Sequence, residues 1–203
     1  MNSRPHFQNI DNEIHNSVYC IYCIGDPDCT HLCARAPYNW LHNTISELAS
    51  QGYTNKWIMQ LGFIGFGILL SIGAITNFLQ EGKYRLRHLP IVIYVLGILM
   101  AGIFCTRPFV DGIPYSEVEA RLHSIFASIA GFALSAAMLM NFLTDHSRRR
   151  ILHAISLLLV LSLSISFGLA SSYAGIVQRI LYLVGFIWLV FIYNSQISLP
   201  EEI

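Results

Sequence analysis

Charge is scarce in this chain. Of its 203 residues, 12% are Asp, Glu, Lys or Arg, about half the roughly 25% found in soluble domains. The 12 basic and 12 acidic side chains cancel, so no overall field recruits nucleic acid. Motifs are scarce too. There is no nucleotide-binding loop, no Gly-x-Ser-x-Gly elbow and no His-Glu-x-x-His helix, which counts against a P-loop pump, a lipase of the usual fold and a zincin. The centres of the apolar stretches hold Ser, Asn, Thr and Gly and no paired carboxylates, too little for a proton relay through a bilayer. A secretory signal is also missing. Residues 1–37 carry Asp11, Glu13, Asp26 and Asp28 and lack the apolar core of about 7–15 residues that such a signal needs. Their one apolar patch, 18–24, is too short to span.

What the chain has in excess is grease: 54% of its residues are hydrophobic. They fall in stretches near 58–79, 90–105, 122–143, 151–170 and 176–193. Crossing a hydrocarbon layer about 30 Å thick takes roughly 20 apolar residues of helix, and these stretches meet or approach that length. A water-facing helix shows a polar side every turn. The stretches near 58–78 and 151–170 have no charged face at all, and a chain this small cannot hide five such helices. The predicted fold is an all-α, polytopic membrane bundle with about five transmembrane helices. Its first insertion signal is the helix near Trp57.

The basic residues orient it. Lys83, Arg85 and Arg87 sit in the break 81–88, and Arg148, Arg149 and Arg150 close the break 144–150. Two crossings separate these breaks, so they share a side, and the excess of Lys and Arg predicts that this side is cytoplasmic. The breaks 106–121 and 171–175 then face outward with the N-terminal segment, and the tail 194–203 faces inward. Trp57, Tyr84, Tyr94, Tyr115, Tyr173, Trp188 and Tyr193 lie mostly near predicted helix ends, where amphipathic rings favour the headgroup zone. Small residues recur at four-residue spacing: Ala127, Gly131 and Ser135; Ser162, Ser166 and Ala170; Gly67 and Ser71; Gly97 and Ala101. Such stripes predict close helix approach.

Four parts follow: a polar, cysteine-containing segment 1–37, an outer interfacial segment 38–56, the bundle 57–193 and the tail 194–203. In the interfacial segment Thr44 and Glu47 have capping-box spacing, which predicts a short helix over 45–51 ending at Gly52. Ser116 and Glu119 repeat the spacing ahead of the third membrane helix. In the first segment Cys20, Cys23, Cys29 and Cys33 surround His31. Three accounts stand open: a zinc site, two disulfides, or incidental cysteines in a disordered or mistranslated tail.

Candidate chemistry gathers at the outer mouth. Arg107, Asp111, Glu119 and His123 belong to the loop and helix after the second span, while Glu47 and Arg179 border the same side. Ionisable groups at a membrane mouth are functional candidates by default. Glu119 and His123, four apart, share a helical face, where a carboxylate can orient an imidazole as a general base. Arg179 is a partner in reach of Glu47, Asp111 or Glu119. The plainer reading makes Glu119 a helix cap, lets the arginines snorkel to headgroups, and bonds His123 to a neighbouring helix. On the other side, Asp145, His146 and His153 flank the arginine triplet, with the break dividing the histidines.

The run Tyr38-Asn-Trp-Leu-His-Asn-Thr-Ile-Ser-Glu-Leu-Ala, then Gly52, then the glycine-rich helix Gly62-Phe-Ile-Gly-Phe-Gly-Ile-Leu, resembles the multi-pass prokaryotic membrane family catalogued as domain of unknown function 998. So does Asp111 followed by Glu119, Arg121, Leu122 and His123. The resemblance spans about 38–195. It implies a six-helix bundle with no assigned activity, and a membrane helix ahead of the Ser-Glu-Leu segment. This chain has the polar residues 1–37 there instead. Either the first helix is missing or the region carries a reading-frame error, and a missing helix would leave an open flank for an oligomer or membrane partner.

The expected function is binding of a small polar ligand or lipid headgroup by Glu47, Arg107, Asp111, Glu119, His123 and Arg179. One rival is a lipid hydrolase or transferase with His123 as base, which needs a nucleophile of the type of Ser46, Ser116 or Ser124, or a metal-bound water. The other is a structural or regulatory subunit. The residues name no cofactor. The expected partner is the bilayer, with a homo-oligomer or membrane protein beside it and no nucleic acid.

Overall fold

The computed structural model describes residues 38–80, 85–169 and 171–193. Cys20, Cys23, Cys29 and Cys33, the residues 81–84 and the tail lie outside that range. Five α-helices follow one another: α1 Lys56–Gln80, α2 Arg85–Ile103, α3 Glu117–Thr144, α4 Arg149–Leu169 and α5 Ala174–Ile187, which runs on through a π-helical turn, Trp188–Tyr193. No strand occurs among the described residues. Each helix begins or ends where the apolar run does. Thus Ser116 caps α3 by accepting the Glu119 amide, and α3 stops at Asp145.

Four helices are long and apolar enough to cross a membrane: α1, α3, α4, and α5 with its π turn. The apolar part of α2, His88–Ile103, is shorter. At about 1.5 Å per residue it rises about 24 Å, short of the roughly 30 Å of hydrocarbon. Only 11% to 33% of each candidate span is buried, and Leu69, Phe132 and Leu169 are each more than 70% exposed. So much contiguous apolar surface is untenable in water and is the natural outer face of a helix in lipid. The protein is a multi-pass membrane protein.

Consecutive helices are neighbours, with the tightest seams between α1 and α2 and between α2 and α3. Glycines set both. A Cβ on Gly67 would stand 2.9 Å from Leu99 Cα, one on Gly102 2.8 Å from Phe63 Cβ, and one on Gly97 3.1 Å from the Ala130 nitrogen. Two of the predicted stripes behave differently. Nothing lies within 4 Å of a Cβ on Gly131, and Ser162 and Ser166 are exposed. The hydroxyl of Ser135 bonds back to the Gly131 carbonyl in its own helix. Spacing marks where a backbone can approach, not whether a neighbour is there.

The two ends of the bundle differ. At the end that carries Arg148, Arg149 and Arg150, the core is closed around Met138, Val160 and Trp188, all but fully buried. The Trp188 indole N–H donates to His153 Nδ1 at 2.9 Å, which leaves the ring proton on Nε2, 3.4 Å from Asp145 Oδ2. Trp188 stacks on Tyr193 with centroids 5.4 Å apart, and Tyr193 Oη is hydrogen-bonded to His88 Nδ1. His88 and His153 have no exposed surface. Tyr94, Trp188 and Tyr193 are therefore core residues rather than interface anchors, whereas Trp57, Tyr115 and Tyr173 are exposed. Position near a helix end does not fix which side of the helix a ring occupies.

Candidate functional site

The opposite end is capped by residues 38–53. The capping box forms as its spacing predicts: the Glu47 amide donates to Thr44 Oγ1 at 3.2 Å, and the Thr44 amide donates to Glu47 Oε2 at 2.6 Å. The helix it starts is a single 3₁₀ turn, Ser46–Ala49, shorter than the predicted 45–51, and the chain is extended by Ser50. Gly52, at φ 83°, makes the left-handed bend into α1 that only glycine adopts freely.

This segment is fastened on two sides. The first N–H groups of α5 have no partner inside their own helix, and here the Gly175 and Ile176 amides donate to the carbonyls of His42 and Leu41 at 3.1 and 3.2 Å. Arg179 donates to the Trp40, Asn43 and Gly175 carbonyls and to Tyr38 Oη, all within 3.1 Å. Gln178 Oε1 accepts the Ile45 amide at 2.7 Å. The approach is so close that a Cβ on Gly175 would lie 2.4 Å from the Trp40 and Asn43 oxygens. On the other side the Gln51 side chain accepts the Ser116 amide at 2.7 Å and donates to the Ser116 and Cys105 carbonyls. Phe109 stacks on Tyr53 at 5.1 Å and meets the Tyr38 ring edge-on. The segment is a lid joined to α5 and to the α2–α3 loop.

Beneath the lid lies a cavity of about 540 Å³, roofed by Ile45 and Ser46 and walled by α1, α2, α3 and α5. That size falls within the roughly 300–1,000 Å³ of small-molecule sites. Its walls are apolar, with Met59, Phe63 and Phe66 from α1 facing Leu181 and Phe186 from α5. The rings of Phe66 and Phe186 stand 6.5 Å apart across it. Among the described residues no Lys, Arg, Asp or Glu lines it, and the polar groups are His123, Tyr94, Tyr182 and Ser46. The His123 ring is fixed by its Nδ1–H, which is aimed at the Ala101 and Phe104 carbonyls at 2.8 and 2.9 Å. In the neutral ring Nε2 is then an acceptor, and it has no partner among the described residues. Tyr94 is 7% exposed, and its hydroxyl likewise has no hydrogen-bond partner among them. Tyr182 and Ser46 line the same cavity, and Ser46 Oγ accepts from Gln178 at 3.4 Å.

Of the predicted site residues, His123 reaches the cavity. Glu47 closes the capping box, Arg179 holds the lid, and Arg107 and Asp111 stand exposed on the α2–α3 loop. Glu119 and His123 share a face without bonding each other. Glu119 Oε1 accepts the Cys105 amide at 2.9 Å, so both residues grip the C-terminal end of α2. Arg179 meets carbonyls and a phenol rather than the carboxylates of Glu47, Asp111 or Glu119. Lys56 Nζ lies 3.3 Å from Cys105 Sγ. Burial pushes that thiol up; Lys56 pulls it down and Glu119 pushes it up, and the net rise leaves it a protonated, poorly nucleophilic group. Of the serines of nucleophile type, Ser46 lines the cavity, while Ser116 caps α3 and Ser124 bonds the Ala120 carbonyl. Among the described residues no three metal-binding side chains come together.

Sequence reasoning missed Gln51, Gly175, Tyr94 and Tyr182. Gly175, where an apolar helix starts beside a polar turn, was a visible signal; the two tyrosines were indistinguishable from interface anchors. No curated protein and no solved structure matches the chain. A family model described as Protein of unknown function (DUF998) matches residues 30–193, which takes in the lid and every helix that walls the cavity. The chain belongs to the DUF998 family.

Proposed function

We propose that this membrane protein binds a lipid-like amphiphile at its outer mouth, with the apolar chain in the cavity under the lid and the head beside His123 and Ser46. The carrying observation is the cavity itself: apolar walls, a few convergent polar groups, and a roof held by charged hydrogen bonds. That combination is the usual form of a small-molecule site. In this reading the breaks 81–88 and 144–150 face the cytoplasm and the lid faces outward. Glu47, Glu119 and Arg179 hold the frame around the cavity, and Arg107 and Asp111 stand exposed on the loop outside it.

Ala127 shares the cavity face of α3 with His123 and Ala130, so Ala127→Phe fills the space from its wall. Native mass spectrometry of the parent, released from detergent, should retain one chain-bearing lipid, and Ala127→Phe should lose it. A parent that retains none, and takes up no oleyl compound when supplied, rules the reading out. A second reading has one observation in its favour: Ser46 and His123 line the same cavity, as a serine hydrolase acting on a lipid ester requires. Release of oleate from an oleoyl ester by the parent, and its loss in Ser46→Ala, would establish that reading; no release from the parent removes it.

A further inference from the structure

We infer that the occupant is a neutral, single-chain amphiphile with a hydroxyl head and a second uncharged oxygen farther along its length. The inference rests on the cavity being a lipid-chain site and adds the chemistry of the head. Three observations carry it. First, a phosphate or carboxylate needs a cationic or multiply donating partner when it leaves water, and among the described residues no Lys or Arg lines the cavity. Arg179, which holds the lid, does not line the cavity, and its Nη1 and Nη2 bond three carbonyls and Tyr38 Oη.

Second, the unpartnered groups are of both kinds. In the neutral ring His123 Nε2 accepts, with Nδ1–H held by Ala101 and Phe104, and Tyr94 Oη can donate or accept. A buried polar group without a partner costs about 1–3 kcal/mol, so an occupant that supplies the missing partners gains at both. An alcohol O–H donates to Nε2, which neither a carboxylate nor a quinone-type carbonyl can do. Third, the groups lie at two depths. Tyr94 is two helical turns from Ala101 along α2, about 10 Å of axial rise, while His123 sits at the level of Ala101. Ile98 and Ala130, between them, are apolar. A hydroxyl at the roof and an ester-type oxygen deeper in the chain suit polar groups carried at two levels of the wall; a monoacylglycerol has both.

The test uses the full chain in neutral detergent with four oleyl probes: 1-oleoylglycerol, oleyl alcohol, oleate and oleoyl lysophosphatidic acid, with binding read by native mass spectrometry. The expected order is 1-oleoylglycerol first, oleyl alcohol next, and the two anions at least ten-fold weaker. Tyr94→Phe should weaken 1-oleoylglycerol roughly three- to ten-fold, the worth of one hydrogen bond, and leave oleyl alcohol unchanged. His123→Asn keeps an N–H at the position of Nδ1 and deletes Nε2; it should weaken both neutral probes. Should that variant fail to fold, Tyr94→Phe still decides, because its hydroxyl holds no structural bond. Equal binding of all four probes, with Tyr94→Phe like the parent, overturns the neutral-head inference and leaves the chain site standing. Binding of none by the parent overturns both.

Discussion

The arginine-bearing end and the lidded end of this bundle bury similar side chains to opposite effect. Around Trp188, histidine, tyrosine, tryptophan and aspartate satisfy one another, and the core closes to the point where Trp188 and His153 have no exposed surface. One acceptor there, Asn141 Oδ1, is enclosed without a partner. Under the lid a histidine and a tyrosine end on open space instead. In hydrocarbon there is no water to rescue an unmade hydrogen bond, so polar groups that face each other fasten helices together, and polar groups that face a void wait for something else. The difference lies in the third dimension, not in residue type.

Four experiments break or sharpen that contrast. Trp188→Ala should be the most damaging, at about 3–5 kcal/mol for a fully buried ring, read as unfolding in detergent; if Phe66→Ala on the cavity wall costs as much, the two ends are not different in kind. Arg179→Ala removes the donor to three carbonyls and a phenol, and should cost about 1.5–3 kcal/mol with the lid becoming the first protease-sensitive site. A lid as resistant as the parent's would show that Gln51, Gln178 and the first amides of α5 suffice to hold it. Gly175→Ala pushes a methyl into the Trp40 and Asn43 oxygens and should cost about 1–3 kcal/mol, again loosening the lid before the core. The finest comparison sets two phenols side by side. Tyr193→Phe unmakes a buried bond to His88 and should cost about 1–3 kcal/mol, whereas Tyr94→Phe should stay within about 0.5 kcal/mol of the parent. Equal losses at the two positions would mean that Tyr94 Oη has a structural partner after all.

Some of this was legible in one dimension. Long uncharged runs give five helices because a backbone in lipid must bond within itself, and Thr44 with Glu47 gives a capping box because both partners lie within four residues. His123 was readable as a site residue since an imidazole in an apolar face needs a reason. Its role was less so: Glu119 shares its face, but the end of α2 competes for both and wins. The lid was the least legible part. Gln51, Gln178 and Arg179 find backbone atoms across tens to well over a hundred positions, and backbone acceptors leave no mark in the sequence. Periodicity likewise names the small faces of α3 and α4 without telling that the first borders a cavity and that Ser162 and Ser166 on the second stand exposed.

The fastening of α5 has a consequence for biogenesis. Arg179 and Trp40 meet across 139 positions, so a stretch synthesised ahead of α1 is completed only by α5, the last of the five described helices. Until α5 arrives, the carbonyls at Trp40, Leu41, His42 and Asn43 lack their N–H partners, and once inserted, α5 lacks its terminal acceptors until they dock. Each is the other's missing piece. A nascent chain cut short before Gly175 would thus carry the lid without its α5 latch.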